Sequence, residues 1–229
     1  NAIHTTLSSI ELISCPLIGS AFCDSLRTNY APPINNTHIH SAHLLELSLI
    51  DLRLDTTDLL SIATSNALVN LKSLSLQQLE AVDDQLLSTI LSHTGEHLQS
   101  INLTRCILLS DMALNAIRKC NIHGSLRALT LSGLKDLTSS GLETFFTFGL
   151  EGLPNPPALK RLDISNSSNE AITDKVVHLA SAASALKRLA MHQYDTITTQ
   201  DQQSPHSHSK TSDIQEYYRT ESMSAMEGL

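Results

Sequence analysis

Three histidines that lie close together in the sequence are the residues most suited to metal chemistry. His38, His40 and His43 form a His-x-His-x-x-His cluster, and imidazole nitrogens are common ligands of zinc. The cluster falls in a stretch that also contains the adjacent prolines Pro32 and Pro33, which is typical of a loop. We therefore expect no metal and no other cofactor, and keep a small metal or hydrolytic site around these histidines as an alternative hypothesis.

Sequence patterns that carry catalysis are missing from the chain. It contains no Gly-x-Ser-x-Gly, Walker or Gly-x-Gly-x-x-Gly pattern, and only eight glycines. The neighbouring acids Asp83 and Asp84 precede a segment with helical periodicity, where carboxylates stabilise a helix start through capping and the helix dipole. We therefore expect a protein that is not an enzyme.

The charge and the cysteines limit the partners and the compartment. The 229 residues carry a formal net charge of −8 without a run of Lys or Arg, whereas binding to nucleic-acid phosphates relies on clustered basic residues. The sequence shows neither the charged-then-apolar pattern of a secretory leader nor an apolar run of about 18 residues, and we expect no membrane partner. The four cysteines contain no Cys-x-x-Cys pair and are too few for a disulfide framework. We expect them to be small buried side chains: Cys15, Cys23, Cys106 and Cys120.

A leucine pattern recurs along most of the chain and predicts its architecture. Its form is Leu-x-x-Leu-x-Leu, with occasional Ile or Met in place of Leu, and it starts near seven residues: Leu7, Leu44, Leu71, Leu98, Leu126, Leu159 and Leu186. Apolar residues at every second position predict a strand. Internal repetition at this period is typical of a solenoid, because one such unit cannot bury its apolar face without its neighbours.

The second half of each unit predicts a helix. A polar or acidic pair precedes residues that are apolar at helical spacing, as in Asp83-Asp84, Ser110-Asp111, Thr138-Ser139 and Thr173-Asp174. Side-chain oxygens at such positions accept hydrogen bonds from the free amides of a first helical turn. We therefore predict an α/β leucine-rich-repeat solenoid over residues 1–199, a curved horseshoe of about seven repeats with parallel strands on the concave face and helices on the convex face. Residues 200–229, rich in Gln, Ser and His, are predicted as a disordered or irregular tail.

The unit at residues 98–111 carries a family resemblance. Its Leu98, Ile101, Leu103 and Cys106, followed by Leu-Ser-Asp, resemble the cysteine-containing leucine-rich repeat. This repeat type builds the substrate-binding arms of F-box ubiquitin-ligase subunits. It also builds the leucine-rich-repeat subunit of the fungal complex for global-genome nucleotide excision repair, which is likewise linked to a ubiquitin ligase.

Residues 93–150 are more similar to the repair subunit, because Gly141-Leu142 and the Phe145-Phe146 pair precede a longer, proline-broken repeat. The resemblance implies a nuclear scaffold whose partners are a DNA-translocating ATPase or ubiquitin-ligase subunits. The alternative is the substrate-receptor arm of an F-box (SCF-type) ubiquitin ligase, nuclear or cytoplasmic. No F-box is visible, and since the chain opens on Asn1 we expect that an N-terminal part precedes it.

The predicted strands also indicate where a protein partner would bind. Residues between the core leucines alternate onto the concave face, where Ser and Thr dominate and aromatic residues are missing. We predict that the partner-binding residues are Glu46, Ser48, Ser73, Ser75, Gln77, Ser100, Asn102, Thr104, Thr130, Ser132, Arg161, Asp163, Arg188 and His192. This face is not basic enough for duplex DNA, so we expect a protein partner and no direct sequence-specific contact with nucleic acid. Docking on the helices or an edge remains the alternative.

Overall fold

The structure is a computed structural model, and it describes residues 7–30, 44–94, 96–120, 124–147, 150, 156–167, 171–182 and 185–191. Seven strands form one parallel sheet, and their order in the sheet is their order in the chain. They are β1 (Ser9–Ile13), β2 (Glu46–Ile50), β3 (Ser73–Gln77), β4 (Ser100–Asn102), β5 (Ala128–Thr130), β6 (Arg161–Asp163) and β7 (Arg188–Ala190). The register pairs equivalent positions of successive leucine patterns, such as Leu47 with Leu74 and Leu74 with Ile101.

Helices connect the successive strands, as parallel pairing requires. They are α1 (Ser20–Asn29), α2 (Thr56–Ala63), α3 (Asp84–His93), α4 (Asp111–Cys120), α5 (Ser139–Phe146) and α6 (Asp174–Ala182), with a 3-10 helix at Asn66–Leu68. This α/β arrangement is consistent with the predicted repeat solenoid. In the part of the chain that the structure describes, no helix has the length and apolar character needed to cross a membrane. The predicted tail, residues 200–229, lies outside the described residues.

The core lies between the sheet and the helices and consists mainly of aliphatic side chains. The strand leucines that alternation directs inward are buried, with Leu47, Leu74 and Leu129 each 1% exposed. On the helix side, Phe145 and Phe146 of α5 join this core and form a T-shaped ring pair with centroids 5.1 Å apart. The layered leucines predicted from the sequence therefore make up the core.

Polar side chains cap the starts of several helices, as the sequence pattern predicts, whereas α1 begins after Gly19 without a side-chain cap. The Asp55 carboxylate accepts a hydrogen bond from the amide of Asp58 (2.8 Å), and Asp83 accepts one from Leu86 (2.7 Å). At α5 the hydroxyl of Thr138 accepts from the amide of Gly141 (3.1 Å). These contacts satisfy amides that have no partner within the helix.

The acid that follows the cap has a further contact, to the next unit along the chain. Asp84 accepts hydrogen bonds from the amide (3.0 Å) and hydroxyl (2.6 Å) of Ser110. Asp111 likewise accepts hydrogen bonds from the amide (2.9 Å) and the hydroxyl (2.6 Å) of Thr138. Each of these carboxylates thus fixes the residue that caps the next helix, a contact between units in addition to core packing.

The turn after each strand has two repeated features. Its first residue has a left-handed backbone conformation in six units: Ser14, Asp51, Gln78, Arg105, Gly133 and Asn166, with φ between 47° and 76°. Further along the turn, the Cys106 thiol donates to the carbonyl of Leu76 in the preceding unit (3.1 Å). Ser167, at the equivalent position, donates to Leu131 (3.4 Å). The small polar residue that the sequence places here therefore also ties neighbouring units together.

The four cysteines are free thiols, but they are not all buried. Cys23 and Cys106 are buried as expected, whereas Cys15 and Cys120 are only partly buried. Burial raises the pKa of Cys106 to about 11, and the nearby acids Asp58, Asp24 and Asp55 add to burial in raising the pKa of Cys23 to about 11. Such thiols stay protonated near neutral pH and are poor nucleophiles.

One buried charge lies between α4 and α5. Arg118 is fully buried, and its guanidinium donates to the carbonyl of Thr144 (2.6 Å) in the last turn of α5. Desolvation lowers the pKa of Arg118 below its usual value. A cation stabilises the negative end of a helix dipole, so Arg118 acts as a cross-helix cap.

Candidate functional site

The predicted partner-binding residues lie on the face of the sheet opposite the helices, which we call the open face. Along β2 and β3 the residues between the leucines, such as Ser48, Ser75 and Gln77, are partly buried or exposed while the leucines are buried. The same alternation continues past β4 and β5 to Thr104 and Ser132. His192 lies outside the described residues, as do His38, His40 and His43.

Hydrogen bonds along each strand orient several of these side chains. The side-chain amide of Gln77 donates a hydrogen bond to the Ser75 hydroxyl (2.8 Å). Asn102 Oδ1 accepts from both the amide (3.1 Å) and the hydroxyl (2.7 Å) of Thr104. The open face therefore offers polar groups whose positions are fixed before any partner binds.

The second half of the open face contains a hollow of about 280 Å³. Six of the predicted residues line it, together with Ala128, Ala190 and parts of two core leucines: Ser100, Asn102, Thr130, Arg161, Asp163 and Arg188. The hollow forms because Ala128, with its short side chain, lies beside Arg161 in the sheet register. The other predicted residues described by the structure lie outside it: Glu46, Ser48, Ser73, Ser75, Gln77, Thr104 and Ser132.

Charge is distributed unevenly along the open face. At the β1–β2 end the carboxylate of Glu46 accepts a hydrogen bond from Ser9 (3.0 Å), and Glu11 lies one strand away on the same face. At the β6–β7 end Arg161 and Arg188 are direct neighbours in the register, and both are exposed. Asp163, also at this end, accepts a hydrogen bond from the amide of Ser165 (2.9 Å). The face is therefore acidic at one end and mainly basic at the other.

The sequence already shows that the last two repeats are rich in basic residues, and the structure adds Arg127 to this region. Arg127, Lys160 and Lys187 directly precede β5, β6 and β7 at equivalent positions, immediately before Ala128, Arg161 and Arg188. We call the five basic residues of this region the basic edge: Arg127, Lys160, Arg161, Lys187 and Arg188. The sequence signal for Arg127 is that the residue after the first leucine is basic in three successive units.

The described residues offer little for metal or redox chemistry. No group of three or more His, Cys, Asp or Glu side chains that could hold a metal ion occurs among them. The hollow contains Asp163 but no histidine or cysteine. Its hydroxyl, amide, carboxylate and guanidinium groups are those that form hydrogen bonds and ion pairs in protein interfaces.

The fold and the face together define an α/β repeat protein with an open polar surface across its parallel sheet. Neither protein-family models nor curated protein sequences match the chain. Among solved structures it is similar to a chain in the crystal structure of the Rad7 and Elc1 complex in yeast, with a TM-score of 0.53 and 17% sequence identity. The match covers 86% of this chain and 53% of that chain, so the chain spans about half the length of its structural neighbour. At this identity, the likeness concerns the fold alone.

Proposed function

We propose that the chain is a non-catalytic scaffold that binds another protein on its open face, the concave side of a leucine-rich-repeat horseshoe. The observation that carries this proposal is the hollow, where six polar or charged side chains from four strands converge. Extended open surfaces of this kind are what solenoid proteins use to bind partners.

The proposed setting is a nuclear assembly for nucleotide excision repair that is linked to a ubiquitin ligase. Two observations support it: the leucine-rich-repeat signature around Cys106, and the shared fold with a chain from a complex of two proteins. The partner would be a DNA-translocating ATPase or a ubiquitin-ligase subunit. The mixed charge of the hollow fits a protein surface better than a phosphate backbone.

The test introduces bulk and charge on the open face. In Ser100→Glu/Thr130→Glu, two longer, negatively charged side chains fill the hollow without touching the core. The matched control is Gln85→Glu/Ser88→Glu, which adds the same charge at two exposed positions of α3. Each tagged protein is expressed in cells of the organism it comes from, and the proteins that co-purify with it are identified by mass spectrometry.

We expect the wild type and the α3 control to retain a repair ATPase or ubiquitin-ligase subunits, and the hollow variant to lose them. Loss of the gene should also increase sensitivity to ultraviolet light. Retention of the same partners by the hollow variant would place the binding surface elsewhere. A normal ultraviolet response together with an F-box adaptor among the partners would favour the F-box receptor instead.

A further inference from the structure

The basic edge is held together by the backbone of the sheet. The carbonyl of Arg127 accepts hydrogen bonds from the amides of Lys160 (2.7 Å) and Arg161 (3.0 Å). The carbonyl of Lys160 in turn accepts from the amides of Lys187 (2.9 Å) and Arg188 (3.0 Å). Because neighbouring strands lie about 4.8 Å apart, the backbones of these residues form a row across three strands that cannot separate without breaking the sheet.

Positive charge is concentrated on the basic edge. The basic edge holds five of the chain's 15 Lys and Arg, although the formal net charge is −8. Like charges directly opposite one another on adjacent strands, such as Arg161 and Arg188, destabilise a sheet. Asp163 is the acidic residue that lines the hollow beside them. An anionic ligand would complement the positive charge of the basic edge.

The side chains of the basic edge differ in how exposed they are and in whether hydrogen bonds hold them in place. The Arg127 guanidinium donates to the carbonyls of Gly124 and Leu126, which hold it at the start of β5. Arg161 and Arg188 are exposed and line the hollow, and Lys160 is exposed beside them. The ligand would therefore lie across the entry to β5, β6 and β7 and reach into the hollow.

The geometry favours an acidic peptide over a nucleic acid. Three strands span only about 10 Å, the length of roughly three extended residues. The residues that line the hollow include no aromatic side chain on which a base could stack. A peptide, unlike a phosphate backbone, also has amide groups that the Asp163 carboxylate can accept, and Ser100, Asn102 and Thr130 can bond to the peptide backbone.

We propose that the basic edge and the adjoining hollow bind an extended, carboxylate-rich segment of the partner protein. This inference rests on the proposed function and adds to it the chemistry of the bound segment. Arg161 and Arg188 would form ion pairs with Asp or Glu side chains of that segment, because the guanidinium fork matches a carboxylate in two-point contacts.

The test uses the full chain and three labelled probes: a ten-residue peptide of alternating Glu and Ser, the same peptide with Gln for Glu, and a ten-nucleotide single-stranded oligonucleotide. Binding is followed by fluorescence anisotropy at low and physiological salt. The variant Arg161→Gln/Arg188→Gln removes two charges from the basic edge. The control Lys119→Gln/Lys135→Gln removes two charges from exposed positions in α4 and in the β5–α5 connection.

We expect the Glu-containing peptide to bind at least about tenfold more tightly than the Gln-containing peptide, with a difference that shrinks as salt rises. The Arg161/Arg188 variant should lose at least about tenfold in affinity for the Glu peptide, and the Lys119/Lys135 control less than about twofold. Equal binding of the two peptides, or equal losses in the two variants, would overturn the inference. Tighter binding of the oligonucleotide would overturn it in favour of nucleic acid.

The co-purification experiment separates this inference from the proposed function. If Arg161→Gln/Arg188→Gln keeps the partner that Ser100→Glu/Thr130→Glu loses, the open face binds protein but not through an acidic segment. If both variants keep every partner, the proposed function fails as well.

Discussion

At the scale of single residues, Asp111 illustrates how one carboxylate links two units. It is the first residue of α4, and its carboxylate accepts hydrogen bonds from the amide and the hydroxyl of Thr138, which caps α5. Gly141 in α5 leaves room for this contact, because a Cβ there would lie 2.0 Å from Asp111 Cγ. The glycine is therefore needed for the space it leaves, although glycine weakens a helix by about 1 kcal/mol relative to alanine.

We predict that Asp111→Ala lowers the free energy of unfolding by about 1.5–3 kcal/mol, the usual range for hydrogen bonds to a charged group. Asp136→Ala, at an exposed acid of the β5–α5 connection, is the control and should change it by less than about 0.5 kcal/mol. Gly141→Ala should destabilise the wild type but stabilise the Asp111→Ala background, where the added methyl group meets no carboxylate. Urea unfolding of the four proteins measures this cycle, and a Gly141→Ala effect of the same sign in both backgrounds would contradict the proposed contact.

The buried thiols predict a loss of stability in alkaline solution. Burial raises the pKa of Cys23 and Cys106 to about 11 and that of Cys120 to about 12, from an ordinary value of 9.0. As pH rises through 9, the unfolded chain releases these protons first, so unfolding becomes easier between pH 9 and 11. Each fully buried thiol contributes at most about 1.4 kcal/mol per pH unit in this window. Urea unfolding should therefore show a steeper loss from pH 8.5 to 10.5 in the wild type than in Cys106→Ala. Parallel pH profiles would show that Cys106 does not contribute.

At the scale of elements, the turns that follow β1 to β6 each contain a residue with a left-handed backbone conformation. Gly133 occupies this position with φ of 76°, and a Cβ there would lie 3.0 Å from Arg105 Cγ. We predict that Gly133→Ala costs about 1–2 kcal/mol, whereas Ser132→Ala, its neighbour on the open face, costs less than about 0.5 kcal/mol. Gln78→Asn, at the equivalent turn, should be neutral or slightly stabilising because asparagine tolerates this conformation. Thermal unfolding measures all three, and equal effects at Gly133 and Ser132 would contradict the argument.

The elements also explain what the sequence could and could not predict. Strand alternation and helix starts depend on neighbouring residues, so Leu47, Leu74 and the Asp83 cap follow from pattern alone. The contacts of Asp84 with Ser110 and of Arg118 with Thr144 join residues that are 26 positions apart. Such contacts depend on the register between units and on the path of the helices. A pattern within one unit does not contain that information.

The sequence predicted which residues face away from the helices, but not the hollow that they form. The alternation of strand residues placed Asn102, Thr130 and Arg161 on the open face correctly. The hollow could not be predicted, because it depends on short side chains such as Ala128 lying beside long ones on the next strand. The role of the predicted residues in binding stays a prediction.

At the scale of the whole molecule, the packing follows the order of the chain. The strands pair in chain order, and successive helices pack against each other from α1 to α6. In such a linear arrangement, stability is close to a sum of terms for each unit and for the contacts between neighbours. A local loss of stability should therefore affect the adjacent units more than the units at the other end of the sheet.

This arrangement predicts that stability and binding can be separated by position. Ile164, directly after β6, and Leu49, within β2, are both fully buried. Truncation of either to alanine should lower the free energy of unfolding by about 2–5 kcal/mol. In Ile164→Ala, amide hydrogen exchange should accelerate in β5–β7, and affinity for the Glu-containing peptide should fall because the hollow and the basic edge lie there. In Leu49→Ala, exchange should accelerate in β1–β3 while peptide affinity stays within about twofold of the wild type. Exchange measured by mass spectrometry, together with peptide anisotropy, distinguishes the two variants. A uniform acceleration along the chain in both would mean that the sheet opens as a single unit, and the nearest-neighbour description would then be wrong.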